Sequence, residues 1–157
     1  MIKCVYPGSF DPITTGHLDV IERARAMFDD VTVAVLVNTN KTPAFSTERR
    51  MEYIRLSTSH LSGVKVDSFS GLLVDYMKKQ GANVVIRGLR AISDFEYEFQ
   101  MAALNAKLAK SIETIFLMTD INHSFLSSSL VRELAYNGGD ITGLVPDAII
   151  KSVKNSL

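Results

Sequence analysis

The chain predicts an α/β fold: a Rossmann-like sheet of five parallel strands with helices on both faces and further helices at the C-terminus. Three observations carry the prediction. Strand and helix patterns alternate from one end to the other. The strand-like runs are short, rich in Val and Ile and apolar on both faces, as in a covered parallel sheet. No Gly/Ser/Pro linker, repeat or low-complexity tract breaks the alternation, so residues 1–157 read as one domain.

Each element has a local reason. Ile2–Tyr6 opens the chain as a strand. The first helical run, Leu18–Phe28, places Leu18, Ile21, Ala24, Arg25 and Phe28 at helical spacing, with Gly16-His17 at its opening. Val31–Val37 is the second strand. Ser46 is a good N-cap, and a helix over Thr47–Leu61 follows with Met51, Ile54, Thr58 and Leu61 on one face. Val64–Phe69 is the third strand, and Leu72–Gln80 is a helix ended by Gly81. After a fourth strand, Val84–Arg87, the box Ser93-Asp94-Phe95-Glu96 opens a long helix to about Ala109. That helix is apolar nearly all round, which puts it either at the centre or at a subunit contact. Thr114–Met118 is the fifth strand. Ser127–Tyr136 is a helix stopped by Asn137-Gly138-Gly139, and Pro146 begins a last one with Ile149, Ile150 and Val153 on one side. Met27, Met51, Met77, Met101 and Met118 fall on apolar faces and read as core.

Composition narrows the function. Lys plus Arg balance Asp plus Glu at 17 each, so no global basic field favours nucleic acid or a membrane surface. An anionic ligand must be held by a local cluster. The only cysteine, Cys4, excludes an internal disulfide and reads as a small buried residue. No secretory h-region and no apolar run of membrane-spanning length is found, so a cytoplasmic location is expected. Walker A, G-x-G-x-x-G and G-x-S-x-G motifs are missing, and no Cys/His set has metal-ligand spacing.

Four groups stand at predicted C-terminal ends of strands, and parallel topology brings those ends to one edge. They are Ser9 with Thr14-x-Gly16-His17, then Lys41, then Arg87-Gly88-Leu89-Arg90, and last Ser127-Ser128-Ser129-x-x-Arg132. Basic side chains, a histidine and helix N-termini converging in a neutral protein point to phosphate chemistry. Asp94 and Glu98, one helical turn apart, can face the same side and anchor an arginine or accept from a ribose.

Tyr6–His17, Ile86–Glu98 and Ser124–Glu133 together resemble the bacterial phosphopantetheine adenylyltransferases, within the nucleotidylyltransferase superfamily marked by T/H-x-G-H. The resemblance covers essentially the whole chain. It implies transfer of AMP from ATP to 4′-phosphopantetheine, giving dephospho-coenzyme A and pyrophosphate in coenzyme A synthesis, with Mg²⁺ required and no protein metal ligand assigned. By that resemblance His17 is catalytic and binds ATP phosphates. Ser9 touches both substrates. Phe10, Gly88, Leu89, Arg90 and Glu98 contact ATP, as does the turn of His123, Ser124, Phe125, Leu126, Ser127, Ser128 and Ser129. Lys41, Leu73 and Arg87 hold phosphopantetheine. A homohexamer is also implied.

Overall fold

Side-chain alternation along the strands sorts the core into two layers. The computed structural model describes residues 2–38, 40 and 42–157. Its strands are β1 (Lys3–Gly8), β2 (Asp30–Leu36), β3 (Val64–Phe69), β4 (Val84–Leu89) and β5 (Glu113–Met118). The helices are α1 (Thr15–Met27), α2 (Thr47–Ser57), α3 (Leu73–Gln80), α4 (Ile92–Leu108), α5 (Ser128–Tyr136) and α6 (Ile150–Ser156). Short 3₁₀ turns, Ile121–His123 and Asp147–Ile149, precede α5 and α6. The five strands are parallel in the order β3-β2-β1-β4-β5, the Rossmann-like α/β sheet expected.

Cys4, Tyr6, Val33, Val35 and Ile86 point to the layer that holds Ile21 of α1, Ile54 of α2, Val131 of α5 and Val153 of α6. Their alternates Val5, Ala34 and Val85 point to the layer of Val74 and Met77 of α3. Cys4 is buried as expected, and burial pushes its thiol up to about 12, so it stays protonated. Among the described residues no helix is long and apolar enough to cross a membrane.

Three local readings change. The second helix stops at Ser57 rather than Leu61: Thr58 is its C-cap, with amide and hydroxyl both donating to the Ile54 carbonyl, and the Leu61 amide then bonds the Thr58 carbonyl in a tighter turn. Its buried face is Arg50, Tyr53, Ile54 and Ser57. The box at Ser93 does not cap α4: the N-cap is Ala91, and the Asp94 carboxylate accepts from Arg90 instead. Met77 is core and Met51 half-buried, but Met27, Met101 and Met118 are exposed. Of the two places open to the apolar fourth helix, the centre is excluded. Asn105 is its only buried residue, while Phe95, Tyr97, Phe99, Leu104 and Leu108 are all exposed.

Candidate active site

Strand order reverses between β1 and β4, and open α/β sheets bind ligands at such a point. β1 and β4 pair only at Cys4↔Val84 and Val5↔Val85. Each stays paired with its outer neighbour much further, β1 to Gly8 and β4 to Leu89. The two strands therefore part toward their C-terminal ends and leave a crevice. Pro7, beyond the last pair, has no amide hydrogen to extend the ladder. Its carbonyl accepts from Arg87 Nη1 across the gap at 2.8 Å.

Two cavities open from this crevice. A polar one of about 390 Å³ lies over Phe10, His17, Gly88, Arg90 and the serine turn Ser127–Ser129. A mostly apolar one of about 300 Å³ runs between Leu73 of α3 and Met101, Leu104 and Leu108 of α4. Ser9, Arg87, Tyr97 and Glu98 line both. A smaller space of about 60 Å³ behind His17 is lined by Thr14, His123 and Leu126 among others. Leu89 is buried, Ser124 lines none of these spaces, and Phe125 is 63% exposed. Lys41 lies outside the described residues.

His17 is held by the helix it opens. Thr14 caps α1: its side chain accepts from the His17 amide, and its own amide donates to His17 Nδ1 at 3.0 Å. A ring nitrogen that accepts from an amide cannot carry the proton, so in the neutral ring the proton sits on Nε2. Burial, then the positive charges of Arg90 and Arg87, push the His17 pKa down to about 4. At neutral pH His17 is thus an uncharged donor with a fixed tautomer. Phe10 packs edge-on against it, ring centroids 5.1 Å apart. Phe10 takes φ 47°, a strained value for a side chain of this size. Its ring fits because residue 8 is glycine; a Cβ there would lie 3.0 Å from the ring.

The arginines are tethered from α4. Arg87 donates to Glu98 through Nε at 2.6 Å and Nη2 at 2.5 Å. Arg90 reaches Asp94 at 3.1 Å and the Leu126 carbonyl at 2.9 Å. Gly88 lies between them, where a Cβ would come 3.2 Å from Val20 of α1 and 3.4 Å from the Tyr6 hydroxyl. In the serine turn, Ser127 caps α5 by accepting from the Leu130 amide, and Ser128 donates to the Pro12 carbonyl. Ser129 accepts from Arg132.

Two supports were not picked out from the sequence. Asp11, nearly buried, accepts from the amides of Ala44 and Phe45, both at 2.9 Å, and pairs with Arg132 at 3.5 Å. It joins the loop after β1, the segment three residues beyond Lys41 and the helix of the serine turn. A turn-forming Asp before Pro12 is the signal that could have found it. Arg50, 3% exposed, donates to the Ser9 carbonyl at 2.9 Å. Its spacing to Tyr53, Ile54 and Ser57, at i+3, i+4 and i+7, marks it as inward-facing, whereas its neighbour Arg49 is not.

The arrangement can gather anions and donate a hydrogen bond to one of them. It does not offer a metal cage: among the described residues no three His, Cys, Asp or Glu side chains gather closely enough to hold an ion. The described residues do not form a protein-built Mg²⁺ site.

A family model described as cytidylyltransferase-like matches residues 5–134. A phosphopantetheine adenylyltransferase of Heliobacterium modesticaldum is 54% identical, over 96% of this chain and 89% of its own. One from Clostridium novyi is 55% identical, over 100% of this chain and 98% of its own. A Vibrio parahaemolyticus structure, described as a candidate nicotinate-nucleotide adenylyltransferase, superposes with a TM-score of 0.75 at 16% identity. It covers 98% of this chain and 99% of that one, and so shares the fold.

Proposed function

Because the chain belongs to the phosphopantetheine adenylyltransferase family, we propose that its two joined cavities carry the two substrates of that reaction. The enzyme moves AMP from ATP to 4′-phosphopantetheine and releases pyrophosphate and dephospho-coenzyme A, the coenzyme A-forming activity for which its relatives are named. The observation that carries the substrate assignment is the junction at Ser9 and Arg87. A polar cleft suited to a triphosphate and an apolar channel suited to a pantetheine arm meet there.

The attack is in line, acceptor phosphate oxygen on the α-phosphorus, with pyrophosphate leaving and no covalent enzyme intermediate. The main obstacle is electrostatic. Unit charges about 4 Å apart interact by about 4 kcal/mol at an effective dielectric near 20. Arg87, with Lys41, offsets the acceptor phosphate; Arg90 and the serine turn at the start of α5 offset the triphosphate. Ser9 holds the boundary between the two. Phe10, Gly88 and Ser127–Ser129 shape the nucleotide side, whereas Leu89, Ser124 and Phe125 line neither cavity. His17 donates from Nε2 to the α-phosphoryl oxygens as their charge grows, a contribution of about 3–4 kcal/mol for one well-aimed donor. A phosphate nucleophile ionised at neutral pH needs no general base. Mg²⁺ would be held by triphosphate oxygens and water rather than by protein side chains, and would supply charge neutralisation there. The outward apolar face of α4 supports the homohexamer, and the enzyme is assigned to the cytoplasm.

Pyrophosphate release from ATP tests the proposal. It should require 4′-phosphopantetheine. Equal release with CTP, or with nicotinamide mononucleotide as acceptor, would overturn the substrate assignment. Lys41→Ala should raise the KM for phosphopantetheine more than that for ATP; equal rises would remove Lys41 from the acceptor side.

A further inference from the structure

A guanidinium carries five N–H bonds. In Arg87 three have protein acceptors: Nε and Nη2 on the two oxygens of Glu98, and Nη1 on the Pro7 carbonyl. One N–H on Nη1 and one on Nη2 remain without an acceptor among the described residues. Both carboxylate oxygens of Glu98 are engaged with Arg87, and the two side chains line both cavities. The neighbouring pair differs. Arg90 meets Asp94 at 3.1 and 3.4 Å, with side chains 40% and 30% exposed; Arg87 and Glu98 are 29% and 13% exposed. Only the Glu98 pair is short, bidentate and largely sheltered.

We propose that Glu98 is a positioning residue for the acceptor phosphate, acting through Arg87. The resemblance above gives Glu98 to ATP, whereas its hydrogen bonds tie it to the residue read as holding phosphopantetheine; the inference rests on that reading of Arg87. Arginine is charged with or without a partner, so Glu98 is not needed to ionise it. It fixes the plane of a long, flexible side chain and leaves one N–H on each of Nη1 and Nη2 for a phosphate. The carboxylate also repels that phosphate, so charge and position act with opposite signs. If charge dominated, removing it would tighten phosphopantetheine; if position dominates, removal weakens it. In Glu98→Gln the amide keeps one acceptor and turns a donor toward Nη2, which breaks the fork at nearly constant shape.

Calorimetric titrations with 4′-phosphopantetheine, with pantetheine, which lacks the phosphate, and with ATP decide the matter. Glu98→Gln should weaken phosphopantetheine about tenfold or more while pantetheine stays within about twofold, and ATP should lose clearly less than phosphopantetheine. In the Arg87→Ala background Glu98→Gln should cause no further loss, because the two residues act as a unit. Unchanged or tighter phosphopantetheine, a loss shared equally with ATP, or additive losses in the double variant would each overturn the proposal. Retained pantetheine affinity shows that a variant is folded, and Glu98→Asp, which keeps the charge and can re-form the pair, should recover part of the loss. Wild-type protein that bound phosphopantetheine no better than pantetheine would overturn the reading of Arg87 itself, a result distinct from any of these.

Discussion

His17 presents a proton to the cleft because Thr14 has taken the other nitrogen. Replacing it with Ala should lower turnover about a hundredfold or more, as loss of one transition-state donor does. Stability should fall by only about 1–2 kcal/mol, the cost of leaving the Thr14 amide without its partner. Single-turnover rates and thermal melts separate the two effects; near-normal turnover would exclude His17 from the chemistry. Its ionisation gives a second prediction. The unfolded chain protonates this histidine near 6.5, the folded one only near 4. The unfolded state thus binds more protons between these values, and the stability that the neutral ring confers is complete above about pH 6.5 and lost as pH falls toward 4. The melting temperature of the ligand-free protein should drop more steeply over that window than that of His17→Asn. Parallel curves would show that the folded environment does not hold the ring neutral.

At the scale of elements, the site is an arrangement of loops clamped by buried charges. Asp11 ties the segment around Ala44 and Phe45 to the loop after β1 and to Arg132 of α5. Asp11→Ala strips acceptors from the two amides and leaves Arg132 without its carboxylate, so unfolding free energy should fall by about 3 kcal/mol. The KM for phosphopantetheine should rise more than that for ATP, since Lys41 lies just before the released segment. A stable variant with unchanged KM values would show the clasp to be dispensable. Much of this level was legible beforehand. The strands fell where Val and Ile clustered, and the four site segments were read at strand ends because parallel topology leaves them no other edge. What escaped was decided by tertiary partners. Ser93-Asp94-Phe95-Glu96 has the composition of a cap, yet Arg90 claims Asp94. Thr58 looks like one more helical position, yet it is the C-cap at which the helix ends. Arg50 stands beside Arg49 in the sequence, and a mean charge count does not distinguish a buried clamp from a solvated one.

For the whole molecule, the outward face of α4 is the unresolved surplus. Phe95 and Phe99, ring centroids 5.8 Å apart, are 44% and 57% exposed, on the side of the helix away from Leu104 and Leu108, which line the channel. Contiguous apolar area of this kind marks an interface. Sedimentation should give a mass near six chains, and Phe99→Glu should shift it to smaller species. A wild-type monomer at micromolar concentration would reject the assembly. The same helix carries Glu98 and Asp94, so association through this face would share one rod with the setting of Arg87 and Arg90.

The parting of β1 from β4 has a mechanical consequence. Where the backbone ladder ends, side chains suture the two halves: Arg87 to the Pro7 carbonyl, Ser128 to the Pro12 carbonyl, Arg132 to the Asp11 carbonyl. These stitches lie among the groups that surround the crevice. A molecule filled at that seam is braced there, so occupancy should be felt as stiffness, with amide exchange slowing first along the torn edge of the sheet.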